Sequence, residues 1–336
     1  MNRPPESFVQ VQEDRLLAFA TACFQKVGLS QEHAATISRL LVNSDLRGVR
    51  SHGTRTVNGY TRAFAEGKLN PQPNIQLVHE TPTAVVIEGD GTLGYWPMVQ
   101  ATQHAIAKAK EVGMGMGLVR YIGHYGSAGH YARMCMEQGC IGFSVQGYRN
   151  QGQQKTDGGG PNPDAHLGYF GNPPICFALP GGEEPPVVLD AATCILADYQ
   201  RGPEFEALFS MIPAAFFKSV GYGAVATLMG GGLTGFTLSD ESWNRWSAAR
   251  HGGMVLAINV GSVVPEELFR AESDRLARDV ESHYRPMPGN ARARLPGAVE
   301  EDILAKHRTE GIRYGEMEQE NVRAASERLG VPLPWD

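Results

Sequence analysis

Two short segments carry the residue types best suited to proton chemistry. Residues 50–55 read Arg-Ser-His-Gly-Thr-Arg, and residues 123–129 read Gly-His-Tyr-Gly-Ser-Ala-Gly. Each contains one histidine, His52 or His124, whose ring exchanges a proton near neutral pH. Each also contains glycines, which let a ligand approach the backbone. The two segments therefore predict an active site in which histidine acts as acid or base.

Two neighbours of His52 add further candidates. Arg55 carries a planar guanidinium, which fixes a substrate carboxylate through two parallel hydrogen bonds. Ser51 can donate a hydrogen bond to a substrate oxygen or to a histidine, but capping of the following turn explains a serine here equally well. We interpret Arg55 as a substrate anchor and keep both alternatives for Ser51.

Helical periodicity dominates both ends of the chain. Near the amino end it predicts a helix that stops at Gly28 and a second helix from Ser30 to about Leu46, which delivers His52. Near the carboxyl end it predicts helices over 299–308 and 316–329, each followed by a glycine.

The middle of the chain alternates short apolar runs with helical patterns. The expected helices cover 97–112 and 127–138, and the expected strands cover 84–87, 116–119, 141–145, 175–179, 187–189 and 255–260. This pattern indicates an α/β domain over residues 81–290, enclosed by a helical domain built from residues 1–80 and 291–336. The glycine-rich, polar segment 151–163 is either a lid or a tolerated insertion.

Composition narrows the class of protein. The 336 residues carry a net charge of -6 and scattered basic residues, so we expect no nucleic-acid partner. Five cysteines without a Cys-x-x-Cys pair indicate neither a disulfide framework nor a zinc site, and we expect no metal. The amino end lacks the pattern of a secretory signal, so the expected location is cytoplasmic. The uncharged stretch 219–239 is too weakly apolar for a membrane span, and we interpret it as a buried helix with its loop.

Glycine-rich segments do not match the usual nucleotide-binding patterns. Residues 113–117 follow a helix and precede a strand, the reverse of the Rossmann context, and are interpreted as a helix cap and turn. Residues 230–235 lack the Lys-Ser/Thr ending of a phosphate loop. The chain also contains no Gly-x-Ser-x-Gly or His-Glu-x-x-His motif.

Five landmarks together resemble one known family, the malate/L-lactate dehydrogenases of the second type, which are distinct from the Rossmann-fold lactate and malate dehydrogenases. The histidine segments are similar to the family's amino-terminal signature and to its Asn-His-Phe-Gly stretch. The landmarks occur in the family's order and are residues 44–53 with Arg55 and Tyr60, 123–132, 188–193, 217–223 and 295–297.

This resemblance implies an oxidoreductase that uses NAD or NADP and acts on small 2-hydroxy acids and their 2-keto or cyclic imine counterparts. It implies a non-Rossmann mixed sheet that binds the dinucleotide, with a helical domain formed by both chain ends. It also implies a homodimer. The weak apolarity of the stretch 219–239 adds the expectation of no membrane partner.

The resemblance carries over roles residue by residue. The catalytic set is His52, His124, Ser51 and Asp190, with His124 favoured as proton donor and His52 orienting or sharing the proton. Asp190 either orients a histidine or contacts the cofactor, and a helix cap is the alternative. Arg55 and Ser51 bind substrate. The expected cofactor contacts are Gly126, Ser127, Pro186, Val187, Val188, Leu189, Asp190, Ala191, Ala192, Phe217, Lys218, Pro296, Gly297 and Ala298.

Three segments depart from the family pattern. Residues 171–174 read Gly-Asn-Pro-Pro where members usually read Gly-Thr-Asn-Pro, the stretch from Asp190 to Lys218 is shortened, and the 151–163 region is longer. Loops around a cleft set specificity. Two alternatives therefore stand beside the dehydrogenase: a non-redox binding protein, and a histidine-dependent lyase or isomerase acting on a 2-oxo acid.

Overall fold

The computed structural model describes residues 4–148, 172–196, 202–235 and 245–335. The segment 151–163 and Gly171 lie outside these ranges. The helices are α1 Glu13–Lys26, α2 Gln31–Leu46, α3 Val57–Ala65, α4 Tyr95–Val112, α5 Gly129–Glu137, α6 Pro203–Met211, α7 Pro213–Gly230, α8 Glu266–His283, α9 Ala298–Glu310 and α10 Glu316–Leu329. The strands are β1 Val9–Val11, β2 Gln76–Glu80, β3 Ala84–Glu88, β4 Met114–Ile122, β5 Cys140–Tyr148, β6 Pro174–Leu179, β7 Val187–Ala192, β8 His251–Asn259 and β9 Ile312–Tyr314.

Seven strands form one sheet in the order β2-β3-β4-β8-β5-β6-β7. The β3–β4 pair is parallel, and the other five neighbouring pairs are antiparallel. A Rossmann sheet is mostly parallel, with its strands joined through crossover helices. The predicted non-Rossmann mixed sheet is therefore confirmed.

Helices cover both faces of this sheet. On the central strand β8, a Cβ added at Gly253 would meet Met98 of α4, and one added at Gly252 would meet the backbone of Gly230 in α7. Successive residues of a strand point to opposite faces. It follows that α4 and α7 lie on opposite faces, and α5 packs against β5 and β6.

The two chain ends meet in the fold. β1 pairs with β9 in antiparallel register, Val9 opposite Tyr314. α1 packs on α2 and α10, and α2 also contacts α9. The amphipathic periodicity that predicted these helices is accounted for by their buried faces, which include Leu16 and Phe24 of α1 and Ile37 of α2.

Two predictions made from glycine-rich or uncharged sequence were wrong in part. Only Gly113, with φ 93°, caps α4, and β4 begins at the next residue, so residues 114–117 belong to a strand rather than to a turn. The stretch after Lys218 contains a helix that is not buried all round. α7 packs on the sheet through small residues such as Ala226 and Gly230, while Leu228 is 67% exposed.

Among the described residues, no single helix is long and apolar enough to cross a membrane. α6 and the stretch Pro213–Thr234, bent by 94° relative to each other, meet the length and composition criteria only as a pair.

The contact of α7 with the sheet predicts a sharp contrast between two glycines of the same helix. A Cβ on Gly230 would lie 2.3 Å from the backbone nitrogen of Gly147, so Gly230→Ala must displace α7 from β5. We expect it to lower the free energy of unfolding by about 1–3 kcal/mol, the usual cost of overpacking. Urea unfolding followed by circular dichroism measures the change.

Gly221 provides the matched control. A Cβ there meets nothing within 4 Å, and alanine is the better helix former, so Gly221→Ala should be neutral or stabilise by up to ~1 kcal/mol. Equal effects of the two substitutions would show that α7 does not approach the sheet in this way.

Candidate active site

A pair of 3-10 turns follows α2 and carries His52 and Arg55. The buried carboxylate of Asp45, near the end of α2, accepts hydrogen bonds from the backbone N–H of Thr54 at 2.8 Å and from its hydroxyl at 2.5 Å. A Cβ added at Gly53 would lie 1.7 Å from Oδ1 of Asp45. Glycine is therefore required after His52 because the carboxylate occupies the space of a side chain.

His124 is held in one tautomer. Its Nδ1 accepts a hydrogen bond from the backbone N–H of Gly126 at 3.3 Å and lies 2.6 Å from the hydroxyl of Tyr60. A backbone N–H can only donate, so Nδ1 of the neutral ring carries no hydrogen, and Tyr60 also donates to it. The remaining nitrogen, Nε2, bears the proton. His124 therefore presents an N–H donor for a ligand.

His52 stacks beside His124, with ring centroids 5.5 Å apart and an interplanar angle of 28°. The Ser51 hydroxyl lies 2.8 Å from Nδ1 of His52, the histidine contact considered for Ser51. Burial lowers the pKa of His52, Asp190 raises it, and Arg55 lowers it further. Burial also lowers the pKa of His124 to about 3, and His52 adds to this effect. Both rings are neutral near pH 7.

Arg55 faces the carboxyl-terminal helix α10. One of its guanidinium nitrogens lies 3.7 Å from Oε1 of Glu318, and the same carboxylate accepts a bond from Arg50 at 3.1 Å. Glu318 is 1% exposed and also accepts from the N–H of Gly315, so it cannot turn to solvent. The position of the expected substrate anchor is thus set by a residue from the other end of the chain.

Asp190 belongs to strand β7, and its side chain contacts the start of α5. It accepts hydrogen bonds from the Ser127 hydroxyl and from the backbone N–H of Gly129, the latter at 2.9 Å. Its described hydrogen-bond partners are therefore a helix terminus and a serine rather than a histidine ring. The helix it caps is α5, which precedes it in the chain, whereas the sequence pattern suggested a helix from Ala191 onward.

The expected cofactor segments are brought together from distant parts of the chain. The N–H of Val188, in the edge strand β7, donates to the carbonyl of Pro296 at 2.9 Å. Gly297 has φ 99°, and a Cβ there would lie 2.8 Å from the Val188 nitrogen. Since Asp190 binds Ser127, the segments 126–127, 186–192 and 296–298 form one continuous surface.

The start of α7 adjoins the end of β7, because the Ser219 hydroxyl donates to the carbonyl of Thr193 at 2.5 Å. Phe217 is 74% exposed and Leu189 is 44% exposed. Lys218 has no ion-pair partner among the described residues. Apolar surface beside an available cation fits a dinucleotide, whose rings need stacking surface and whose phosphates need positive charge.

Sequence reasoning gave no role to several residues that hold the site together. Tyr60 was part of the recognised signature, and its contact with His124 was a missed functional feature. His130, 5% exposed, bonds Ser44 at 3.3 Å behind the histidine pair. Asp45 had a signal, since it lies in the recognised signature, seven residues before His52. Glu318 had no sequence signal, since a glutamate in a charged helix is usually exposed to solvent.

The sequence model of malate/L-lactate dehydrogenase matches residues 11–200, more than half of the chain. Malate dehydrogenase from Pyrococcus horikoshii is 35% identical over 191 residues, which cover 57% of this chain and 51% of that protein. The chain thus spans about half the length of that relative in this match. Malate dehydrogenase from Pyrococcus abyssi is 28% identical over 312 residues, 82% of this chain and 83% of the relative.

The structure of malate dehydrogenase from Pyrococcus horikoshii is similar throughout. It superposes with a TM-score of 0.81 at 26% identity and covers 98% of both chains. The similarity therefore extends over the sheet and over both chain ends.

The buried histidines predict how stability depends on pH. Burial lowers the pKa of His130 to about 3, whereas an unfolded histidine titrates near pH 6.5. Below pH 6.5 His130 binds a proton in the unfolded state but stays neutral in the folded state. The free energy of unfolding therefore falls as the pH drops from about 6.5 toward 3. One such group contributes ~1.4 kcal/mol per pH unit.

His130→Gln should therefore flatten the dependence of the free energy of unfolding on pH between about pH 5.5 and pH 4 by roughly one proton. Urea titrations at several pH values give this slope. His79→Gln, on the exposed strand β2, should leave it unchanged. An unaltered slope in His130→Gln would contradict the assignment of a neutral, buried ring.

Proposed function

Because this chain belongs to the malate/L-lactate dehydrogenase family, we propose that it is an NAD(P)-dependent oxidoreductase that interconverts a small 2-hydroxy acid and its 2-keto acid. The observation that carries the proposal is the Nε2–H of His124, fixed by Tyr60 and Gly126 and stacked beside His52. Reducing a ketone requires hydride at carbon and a proton at oxygen. A nicotinamide cofactor supplies the hydride when bound, and the chain's own residues handle the proton.

His124 is the proposed proton donor. Its Nε2–H donates to the substrate carbonyl oxygen and polarises it, while Tyr60 holds the opposite ring nitrogen. A substrate carboxylate beside the two rings raises the pKa of His52, since an opposite charge favours the protonated form. Substrate binding thereby brings a proton to the pair, which delivers it to the oxygen. In oxidation the hydroxyl proton moves to the pair.

Arg55 is the proposed anchor for the substrate carboxylate. Its side chain is 28% exposed, and its contacts with Oε1 of Glu318 at 3.7 Å and Sδ of Met317 at 2.8 Å both use Nη1, which leaves the donors on its other two nitrogens for a ligand. Its charge acts on His52, since Arg55 lowers the pKa of that ring. A guanidinium that reaches both histidine and solvent supports this role.

The proposed dinucleotide site combines Gly126 and Ser127 with strand β7, Phe217, Lys218 and residues 296–298. The bond from Val188 to Pro296 and the exposure of Phe217 support it. We assign dinucleotide binding to residues 81–290 and the helical domain to residues 1–80 and 291–336. Either NAD or NADP serves as cofactor.

We propose that a second copy of the chain covers the exposed face of α7, giving a homodimer. Tyr222, Val225 and Leu228 are 60%, 50% and 67% exposed on this one helix. An apolar face of this kind is typical of a protein interface. The symmetric homodimer is also the commonest assembly of soluble proteins.

The proposed location is the cytoplasm. None of the five cysteines, all of which lie in the described ranges, forms a disulfide. Unpaired thiols are typical of reducing compartments.

The proposed chemistry predicts that the protein consumes NADH or NADPH in the presence of a 2-keto acid. A fall in the absorbance of the reduced nicotinamide measures this consumption. His124→Gln should lower kcat by about 10²–10⁴-fold, the usual contribution of a general acid. Tyr60→Phe should lower kcat less and shift the pH profile, because it removes one donor to Nδ1 of His124.

His79→Gln, exposed on β2, is the control for loss of a histidine and should retain full activity. Consumption of substrate without a change in nicotinamide absorbance, or full activity in His124→Gln, would show that the proposal is wrong.

The proposed dimer predicts that light scattering gives twice the mass of the chain. Leu228→Glu places a charge in the apolar face of α7, and we expect it to raise the dissociation constant by at least tenfold because burying a lone charge is costly. Leu268→Glu, at a 62% exposed site of α8, should remain dimeric. A monomeric wild type, or equal behaviour of both variants, would contradict the assignment.

A further inference from the structure

A cavity of about 80 Å³ opens beside Arg50, the residue that begins the active-site loop. The cavity is separate from the residues placed in proton transfer or cofactor binding. Its basic side chains come from three elements: Arg50 after α2, Lys306 and His307 in α9, and Arg313 in β9. Ile303 and two prolines from the amino end supply apolar wall.

No acidic residue is among the described residues that line the cavity. Within the described ranges, Glu310 pairs with both Lys306, at 3.8 Å, and Arg313, at 3.5 Å. Arg50 pairs with Glu318, which it shares with Arg55. Lys306 and Arg313 thus share one described carboxylate, and both contacts of Glu310 exceed the length of a good hydrogen bond. A positive potential remains at the cavity.

The carboxyl ends of two helices lie near this cavity, but their partial negative charge is already compensated. The carbonyls of Asp45 and Leu46, at the end of α2, accept from Nδ1 of His307 at 3.1 and 3.0 Å. The carbonyl of His307, near the end of α9, accepts from the N–H of Gly311 at 2.9 Å. These carbonyls therefore oppose an anion less than free helix ends would.

We propose that this cavity binds a phosphate group, either inorganic or carried by a small organic molecule. Two guanidinium groups and one ammonium approach from different elements, and guanidinium matches phosphate oxygens in pairs. The apolar wall around Ile303 accommodates a short organic carrier. A phosphate on Arg50 competes with Glu318, so occupancy of the cavity reaches the carboxylate that holds Arg55.

The test measures binding directly on the full chain by isothermal titration calorimetry at pH 8, with inorganic phosphate or glycerol 3-phosphate and with sodium chloride holding the ionic strength constant. The wild type should bind with a Kd on the order of 1 mM or below. The double variant Lys306→Gln, Arg313→Gln should bind at least tenfold more weakly. Tighter binding of glycerol 3-phosphate assigns the site to an organic phosphate, and equal binding assigns it to inorganic phosphate.

Arg275→Gln combined with Arg278→Gln removes two arginines from exposed ion pairs of α8 and should bind like the wild type. If the double variant of the cavity fails to fold, Lys306→Gln alone, at a half-exposed side chain, should weaken binding about threefold. The proposal would be overturned by a wild type that binds neither phosphate compound, or by unchanged binding in the cavity variants. Because no readout depends on catalysis, the result is separate from the proposed dehydrogenase activity.

Discussion

The carboxylate of Asp45 holds the loop of His52 and Arg55 from inside the protein, where it is 1% exposed. Burial raises its pKa to about 7, and the hydrogen bonds from Thr54 act against that rise. The hydroxyl of Tyr314 in β9 lies 3.4 Å from Oδ2 of Asp45, the oxygen that accepts from Thr54. A residue near the carboxyl end of the chain thus completes the anchor. The loop geometry therefore depends on α2, on β9 and on a glycine that leaves room for the carboxylate.

The histidine pair shows the same dependence on distant elements. Tyr60 comes from α3, the N–H of Gly126 comes from the turn before α5, and Glu318 of α10 fixes Arg55. None of these groups needs to move to define the His124 tautomer or the direction of the Arg55 side chain. Preorganised donors of this kind stabilise developing charge without a reorganisation cost.

Much of the fold followed from sequence because periodicity reports burial. The amphipathic helices α1 and α2 and the apolar strands β3 to β8 were predicted in type and near their observed bounds, whereas the mixed sheet was implied by the family resemblance. Periodicity failed for α8, where charged residues fill a surface helix, and for α7, where only a stripe of small residues contacts the sheet. Apolar composition alone cannot distinguish a buried face from one left exposed.

The candidate site was less accessible to sequence reasoning. Motifs identified His52 and His124, because their neighbours in the chain are also their neighbours in space. Glu318 was missed because it lies in a charged helix whose pattern carries no sign of burial. The capping of α5 by Asp190 was missed because the partner helix is distant in sequence. Pairwise geometry between remote segments is not encoded in local spacing.

The pairing of β1 with β9 has a consequence for how the chain acquires its structure. The strand of Val9 has no partner until Tyr314 and its neighbours are present. Closing the long loop between the two strands costs conformational entropy that local contacts do not offset. During synthesis α1 emerges long before α10, with which it packs in the folded chain. The part of α1 that α10 contacts therefore stays uncovered until residues 316–329 have been made, which makes the docking of α10 a late step on the way to the native state.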